Sequence, residues 1–283
     1  MYCLNCTIPE NQNEIAYAVG YNHDMTGCVE EQFGGDMKLT FYFAEKGSAD
    51  SAAASMAKLL SIDNCTVEYI SNNQDWNAKW RESMEPAEIA AGVWVSPAWL
   101  EPPANGRKAW IKIEPKMAFG TGHHETTRLA AMGLIESADS VAGKSVLDIG
   151  TGSGVLCFVA DYLGAKLTLG IEIDDTCREN LSENLRDNPP RSDGSVNFII
   201  GALDAVRVDG GKKFDTVVMN MIAAEAVPLL SQIRSVSKNG TILVWSGILA
   251  DECQEAIVAA ENLDYEFIGC RSENEWWCGH FVL

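Results

Sequence analysis

One stretch, residues 145–163 (SVLDIGTGSGVLCFVADYL), constrains the fold of this chain more than any other. The apolar run Val146 to Ile149 predicts a buried strand of a parallel sheet. Glycines follow it at three alternate positions, 150, 152 and 154, and the residues after them have a helical pattern. Glycine lets the backbone turn tightly and places no Cβ between the backbone and a ligand, while the start of a helix directs free N–H groups outward. The stretch therefore predicts a strand, a ligand-binding loop and a helix.

The spacing of these glycines indicates which ligand the loop binds. A dinucleotide-binding loop has the pattern G-x-G-x-x-G, but the residue three positions after Gly152 is Val155, and the third glycine comes one position early. The phosphate-binding pattern G-x-x-x-x-G-K-[ST] is absent from the sequence. The pattern D-x-G-x-G-x-G, which starts at Asp148, resembles instead that of S-adenosylmethionine-dependent methyltransferases of the Rossmann-like class. This resemblance implies Asp148, Gly150 and Gly152 as cofactor-binding residues, and an ordinary strand–turn–helix connection is the alternative.

The charge and hydropathy of the chain limit its partners. With 40 acidic and 21 basic residues, the chain has a formal net charge of −19, and its pI is near 4.5. Such a charge disfavours a nucleic-acid-binding surface and favours a basic protein partner. No apolar run approaches the roughly 20 residues that a membrane-spanning helix needs, so we expect no membrane contact.

The cysteines and the N-terminal sequence favour a cytoplasmic protein. The nine cysteines are an odd number scattered along the chain, and we expect them to be reduced thiols. The C-x-x-C pattern at Cys3 to Cys6 has no second pair to complete a zinc site, so we expect no metal there. The first ten residues lack the basic and apolar segments of a signal peptide.

Residues 1–70 predict a small α+β domain. The pattern indicates strands at Lys38 to Ala44 and at Cys65 to Ile70, with a helix at Ser51 to Leu60 between them. Because this part of the sequence contains no catalytic pattern, we expect it to recognise the substrate.

The remaining sequence divides into a connector and a larger domain. Residues 71–95 are rich in tryptophan and predict an interdomain connector, with a helix at Asp75 to Met84. Its tryptophans either pack between the domains or form an aromatic wall that faces the substrate. Residues 96–283 predict the cofactor-binding domain.

A second glycine loop, FGTGHH at 119–124, precedes a predicted helix. Two adjacent histidines in such a loop are rarely part of a core. His123 and His124 therefore either contact a cofactor or substrate or lie on an exposed loop surface. A metal site would need further ligands, and neither His23 nor His280 has a suitable spacing, so we expect no metal.

Beyond the glycine loop at residue 150, strands and helices alternate. Glu172 lies 22 residues after Gly150, at the predicted end of the second strand, where an acidic side chain accepts both ribose hydroxyls in nucleoside-binding folds. Asn220 ends the fourth strand, and open α/β sheets bind ligands at the carboxyl ends of their strands. The segments Tyr265 to Cys270 and Trp276 to Val282 predict a terminal antiparallel hairpin. The order predicts an α/β fold of the Rossmann-like class I methyltransferase type, with a mostly parallel seven-stranded sheet and a small α+β N-terminal domain.

Four motifs resemble those of one protein family. AFGTGHHETT (118–127), VLDIGTGSG (146–154), NMI (220–222) and WSGIL (245–249) occur in the order seen in the PrmA family of ribosomal protein L11 methyltransferases. The resemblance covers about residues 75–283, whereas the N-terminal 70 residues match the family only in size and position. It implies transfer of methyl groups from S-adenosylmethionine to lysine side chains, to the N-terminal amine, or to both, of a large-subunit ribosomal protein.

The resemblance also implies roles for individual residues. It suggests Thr127, Gly150, Glu172 and Asn220 as cofactor contacts and places Phe119 and Gly120 beside the methionine moiety. The chain departs from the family at Glu172, where many members have Asp, and at residues 220–225, which are NMIAAE.

An amine acceptor has to be held and deprotonated before it is methylated. A lysine amine with an unperturbed pKa of about 10.4 is almost entirely protonated at neutral pH. Asn220 can hold the amine through its side-chain oxygen but cannot act as a base, and a proton relay through His123 or His124 is a hypothesis. The alternatives are a related protein-lysine methyltransferase with another acceptor, such as an electron-transfer flavoprotein subunit, a small-molecule methyltransferase, and a non-catalytic binding module of the same fold. The sequence does not predict an oligomeric state.

Overall fold

The computed structural model describes most of the chain, namely residues 1–33, 35–70, 84–116, 118–206 and 213–283. The chain divides into two compact units, Met1–Met84 and Glu85–Leu283. All of the helix predicted at Asp75 to Met84 except its last residue lies outside the described residues.

The first unit is an antiparallel sheet with helices packed against one face. In chain order its elements are β1 (Tyr2–Pro9), α1 (Asn13–Asn22), β2 (Met25–Phe33), β3 (Asp36–Phe43), α2 (Lys46–Leu60) and β4 (Thr66–Tyr69). The strand order is β2-β3-β1-β4. Alternate residues of β1, namely Leu4, Cys6 and Ile8, are buried against the helices, as expected of a strand with one covered face. The helix predicted from Ser51 begins earlier, at Lys46, and β1 and β2 were not predicted.

The second unit contains the predicted parallel sheet. Its strands are β5 (Ala87–Ala90), β6 (Val93–Ser96), β7 (Ala109–Lys112), β8 (Ser145–Ile149), β9 (Leu167–Glu172), β10 (Val196–Ile200), β11 (Phe214–Asn220), β12 (Ser237–Leu249), β13 (Glu266–Glu273) and β14 (Trp276–Val282). Among the described residues, seven of these strands form one sheet in the order β10-β9-β8-β11-β12-β14-β13. The first five are parallel, and β14 pairs antiparallel with both β12 and β13. The predicted fold class is therefore confirmed.

Helices cover both faces of this sheet. They are α3 (Glu125–Glu136), α4 (Val155–Tyr162), α5 (Cys177–Asp187), α6 (Ala223–Ala226), α7 (Leu230–Val236) and α8 (Cys253–Glu261). Val146 and Val244 join the core formed with α3 and α4, whereas their neighbours Leu147 and Leu243 join the core formed with α7 and α8. Successive side chains of a strand point to opposite faces, so a central strand buried on both sides has to be apolar throughout, and this explains the run at Val146 to Ile149.

Two segments differ from the prediction. The helix predicted over residues 225–236 is interrupted by a 3-10 turn at Val227–Leu229, because Pro228 has no N–H to continue an α-helix. Strands β5 and β6, which pair with each other, lie in the stretch predicted as a connector and belong to the second unit. Their burial gives the reason, since Val93 and Val95 are buried β-branched residues. Across the described part of the chain, no helix is long and apolar enough to cross a membrane.

Candidate active site

The first glycine loop connects β8 to α4 by a backbone path that only glycine follows without strain. Gly150, Gly152 and Gly154 have φ angles of 69°, 54° and 85°, in the left-handed region. A Cβ on Gly152 would lie 2.6 Å from the carbonyl oxygen of Phe119. The amides of Gly150 and Thr151 both donate to the carbonyl of Ile171, each at 2.9 Å, and so fix the loop to the end of β9.

The second glycine loop packs directly on the first. The backbone N–H of Ser153 donates to the Phe119 carbonyl at 2.9 Å, and the Ser153 hydroxyl donates to the Gly120 carbonyl at 2.8 Å. A Cβ on Gly120 would lie 2.8 Å from that hydroxyl oxygen. Asn184 on α5 completes the contact by donating to the Ser153 carbonyl at 2.8 Å. Two of the four motifs that carry the family resemblance therefore form one structure.

A cavity of about 520 Å³ opens where these loops meet the carboxyl ends of the parallel strands. This volume lies within the range of small-molecule sites. Its lining is Ala118, Phe119, His124, Thr126, Gly150, Gly152, Glu172, Ile173, Asp174, Cys177, Asn220, Met221, Ile222, Glu225, Gly247 and Trp276.

Some predicted site residues line this cavity and others do not. Those in the lining are Phe119, His124, Gly150, Gly152, Glu172 and Asn220, and those outside it are Gly120, His123, Thr127 and Asp148. Sequence reasoning did not assign Trp276 or Met221 to the site. Met221 follows Asn220 within the NMI motif, so the motif itself was a signal, whereas no local pattern distinguishes Trp276.

The carboxylate of Glu172 is held in place at the end of β9. Its Oε2 atom accepts from the N–H of Gly152 at 2.8 Å, and its Oε1 atom accepts from the N–H of Asp174 at 3.1 Å. Each oxygen has a further lone pair, so a carboxylate fixed in this way can still accept hydroxyl donors from a ligand in the cavity. These contacts fit a ribose.

Asp148 lies beneath the glycine loop rather than in the cavity. Its Oδ2 atom accepts from the Thr151 hydroxyl at 2.5 Å and from the Cys157 thiol at 3.5 Å, while its buried Oδ1 atom has no partner among the described residues. Burial raises the pKa of Asp148 to about 6, although the two hydrogen bonds oppose this shift. Thr127 is also buried, and its hydroxyl has no partner in the part of the chain that the structure describes.

The two histidines have different surroundings. His124 caps helix α3, since its Nδ1 atom accepts from the N–H of Thr126 at 3.3 Å. Its ring contacts the rings of Phe119 and Trp276, with centroids 5.5 and 5.1 Å apart. His123 is exposed, and its Nε2 atom lies 2.8 Å from the carbonyl oxygen of Glu85. Only His124 therefore faces the cavity.

Asn220 is positioned by the motif WSGIL at the end of β12. The next residue, Met221, donates its N–H to the Ser246 carbonyl at 2.9 Å and accepts from the indole of Trp245 at 3.3 Å. A Cβ on Gly247 would lie 2.8 Å from the Met221 nitrogen, so glycine is needed for this close approach.

The cavity is acidic. Its lining includes Glu172, Asp174 and Glu225, and none of the described residues that line it is lysine or arginine. Such a site favours cationic ligands. The described residues also contain no cluster of three or more side chains suited to hold a metal ion.

Comparisons with known proteins agree with this geometry. The family model described as ribosomal protein L11 methyltransferase (PrmA) matches residues 7–282. Proteins named ribosomal protein L11 methyltransferase from Clostridium perfringens and Fusobacterium nucleatum are 33% and 35% identical to this chain; the two alignments cover 84% of this chain in each case and 76% and 72% of the relatives.

A solved structure, the ribosomal protein L11 methylase of Lactobacillus delbrueckii, matches with a TM-score of 0.61 and 26% identity over 70% of this chain and 98% of that one. The family match begins at residue 7, so the family likeness extends into the first unit, which sequence analysis matched only in size and position. The chain therefore belongs to the PrmA family of ribosomal protein L11 methyltransferases.

Proposed function

We propose that this protein transfers methyl groups from S-adenosylmethionine to amines of ribosomal protein L11, on lysine side chains, at the N-terminus, or both. The observation that carries the proposal is an acidic cavity, in a member of this family, that brings together both glycine loops, Glu172 and Asn220. The relatives are named for L11 and give no support to an electron-transfer flavoprotein acceptor.

The residues of the cavity fit the cofactor. Gly150 and Gly152 have no Cβ to obstruct it, the fixed carboxylate of Glu172 would accept its ribose hydroxyls, and Phe119 would contact its methionine part. The bound cofactor supplies a methyl group that its sulfonium charge already activates, so the protein mainly has to orient the acceptor.

Asn220 holds the acceptor amine in this proposal. Its side-chain oxygen accepts a hydrogen bond from the amine and so directs the nitrogen lone pair, while the amide cannot take up a proton. The neighbouring carboxylates favour the protonated amine, which is not nucleophilic, so the amine has to lose its proton to solvent before transfer.

His124 supports the site by its ring rather than by relaying this proton. Its Nδ1 atom accepts from the start of α3, and in the neutral ring the proton is then on Nε2. A proton taken up at Nδ1 of His124 would therefore break the hydrogen bond by which this residue caps α3. His123 lies outside the cavity lining, so we assign the proposed contact with the site to His124 alone.

We also propose a role for each part of the chain. Residues 1–70 recognise the substrate, and the second unit, which includes β5 and β6 from the end of the predicted connector, carries out the transfer. L11 is a basic partner for a chain with net charge −19, and modification of a ribosomal protein places the reaction in the cytoplasm, without direct contact to nucleic acid or membrane.

The test is methyl transfer from labelled S-adenosylmethionine to purified L11, followed by mass spectrometry of the product. We expect added methyl groups on lysines or on the N-terminal amine. If calorimetry showed that the cofactor binds but no methyl group were transferred to L11, the cofactor site would be supported and L11 would be excluded as the acceptor.

A further inference from the structure

The turn between β13 and β14 controls the position of one cavity residue. Glu273 and Trp276 are paired on either side of this two-residue turn, and Trp276 lines the cavity. Asn274 in the turn has a φ angle of 52°, a conformation that asparagine tolerates better than most residues. Whatever holds this turn therefore also holds the indole of Trp276.

Arg128 on α3 connects this turn to the histidine loop. Its Nε atom lies 3.1 and 3.2 Å from the two carboxylate oxygens of Glu273, and its Nη2 atom lies 2.5 Å from Oε1. Its Nη1 atom donates to the carbonyl of His123. The side chains of Arg128 and Glu273 are only 24% and 33% exposed, so solvent screens this pair less than a fully exposed one.

A second contact joins the same two segments. Asn274 donates to Oε1 of Glu125, the first residue of α3, at 3.0 Å. Arg128 lies 3.7 Å from the same oxygen. One guanidinium and one amide thus fasten the turn to the start of the helix that His124 caps.

We propose that Arg128 is a positioning residue for methyl transfer, because it fastens the β13–β14 turn to the start of α3 and so holds Trp276 against His124 in the cavity wall. The inference rests on the proposed function for its kinetic consequence. Lysine cannot replace Arg128, because a single ammonium cannot bind Glu273 with a planar fork and the His123 carbonyl at the same time.

The kinetic test uses Arg128→Gln and Arg128→Lys with L11 as acceptor. We expect kcat/KM for L11 to fall by about 10- to 100-fold in Arg128→Gln, since small displacements of positioning groups have effects of this size. The Kd for S-adenosylmethionine should change by a smaller factor than kcat/KM for L11, because Arg128 does not line the cavity. Arg128→Lys should recover only part of the loss.

Arg271→Gln is a matched control. Arg271 on β13 pairs with Glu136 at the end of α3, so this variant breaks an ion pair between the same two elements, away from Trp276. We expect wild-type kinetics. If Arg271→Gln lowered kcat/KM as much as Arg128→Gln does, any loss of an ion pair between α3 and β13 would have the same effect, and the proposal would be overturned.

Amide hydrogen exchange tests the contact without methyl transfer. In Arg128→Gln, exchange of residues 119–124 and 273–277 should accelerate together, whereas Arg271→Gln should leave residues 119–124 unchanged. Wild-type exchange or wild-type kinetics in Arg128→Gln would overturn the proposal. A wild-type enzyme that does not methylate L11 would instead refute the proposed function, and the exchange result would still decide whether Arg128 holds the turn.

Discussion

At the scale of single residues, the site depends on positions where no side chain fits. Gly152 and Gly120 approach Phe119 and Ser153 so closely that the two glycine loops form one surface. Glu172 illustrates how a polar side chain contributes. Its carboxylate accepts a hydrogen bond from the backbone of the glycine loop and can still accept one from a ligand.

A substitution at Gly152, compared with one at another glycine of positive φ, should separate the effect of a steric clash from the effect of backbone strain alone. Gly152→Ala places a Cβ 2.6 Å from the Phe119 carbonyl oxygen, so the second loop has to move, and we expect calorimetry to show at least about tenfold weaker binding of S-adenosylmethionine. Gly143→Ala is the control, because Gly143 also has positive φ (73°) but has open space around it. It should cost only about 1–2 kcal/mol of stability. Equal cofactor affinity in the two variants would contradict this account.

Substitutions of the histidines should distinguish two roles of His124, namely the capping of α3 and the contact of its ring with the cavity. His124→Ala removes both and should lower the free energy of unfolding by about 1 kcal/mol. His124→Asn keeps a capping acceptor, so we expect wild-type stability with a lower kcat for L11 methylation. His123→Ala is the control and should match the wild type. A wild-type rate in His124→Asn would show that the ring has no function in transfer.

The buried carboxyl of Asp148 predicts a pH dependence. Its folded pKa, about 6, is above the ordinary value of 3.8, so its contribution to stability is complete below pH 3.8 and is lost as the pH rises through about 6. Asp148→Asn should therefore be more stable than the wild type above pH 6, by on the order of 3 kcal/mol. Urea denaturation between pH 4 and pH 8 measures the difference.

Asp215 supplies the opposite case for the same experiment. Burial raises its pKa, but the hydrogen bond and charge of Lys238, at 2.5 Å, and the hydrogen bonds of Ser145 lower the pKa by more, so the net shift is downward. Its contribution is present above the ordinary pKa and is lost at lower pH, so Asp215→Asn should be less stable than the wild type at neutral pH. Equal pH profiles for the two variants would refute the assignment of the shifts.

At the scale of elements, the helices and strands carry the site residues to one edge of the sheet. Helix α3 lies close to the sheet at Gly133, where a Cβ would be 2.6 Å from Val244 and 2.8 Å from the Nε2 atom of His280. This glycine lets α3 pack closely on β12 and β14.

Gly133→Ala should destabilise the protein although alanine favours helices. Overpacking against Val244 and His280 should cost about 1–3 kcal/mol in urea denaturation, which exceeds the gain in helix propensity of about 1 kcal/mol. Gly47→Ala in α2 is the control, because apart from its chain neighbours and its own helix backbone no described residue lies within 4 Å of its added Cβ, and it should be neutral or stabilising. A stabilised Gly133→Ala variant would contradict the close packing of α3.

The elements show what a sequence can predict. The central strands were predictable because strands buried on both faces are apolar runs, and Glu172 and Asn220 followed from the ends of those runs. Strand β1, with polar Asn5 and Thr7 on its open face, has no such run. Thr126 rather than Thr127 lines the cavity, because adjacent helical residues differ in direction by about 100°. The antiparallel hairpin of β13 and β14 was predicted, but the cavity position of Trp276 also depends on the insertion of β14 beside β12, which only the tertiary structure determines.

At the scale of the whole molecule, charge is the dominant property. The net charge of −19 attracts a basic protein over distances set by the ionic strength. The charged side chains that line the cavity are also negative.

The salt dependence of methylation should reflect this attraction. Between ionic strengths of about 0.01 and 0.15 M the Debye length falls from about 30 to about 8 Å, and we expect kcat/KM for L11 to fall about tenfold or more. The Kd for S-adenosylmethionine, measured in parallel, should change much less, because the cofactor contacts are short. A kcat/KM that stays constant or rises with salt would refute electrostatic attraction of the substrate.

The strand order β12-β14-β13 has a consequence for the order of synthesis. Strand β13 leaves the ribosome before β14, yet its neighbour in the sheet is β14, so it stays unpaired until the later strand has been inserted beside β12. The indole of Trp276 arrives with that same strand. A nascent chain can therefore complete its parallel core and its glycine loops while one residue of the cavity lining is still missing, and the lining is complete only after β14 has been synthesised.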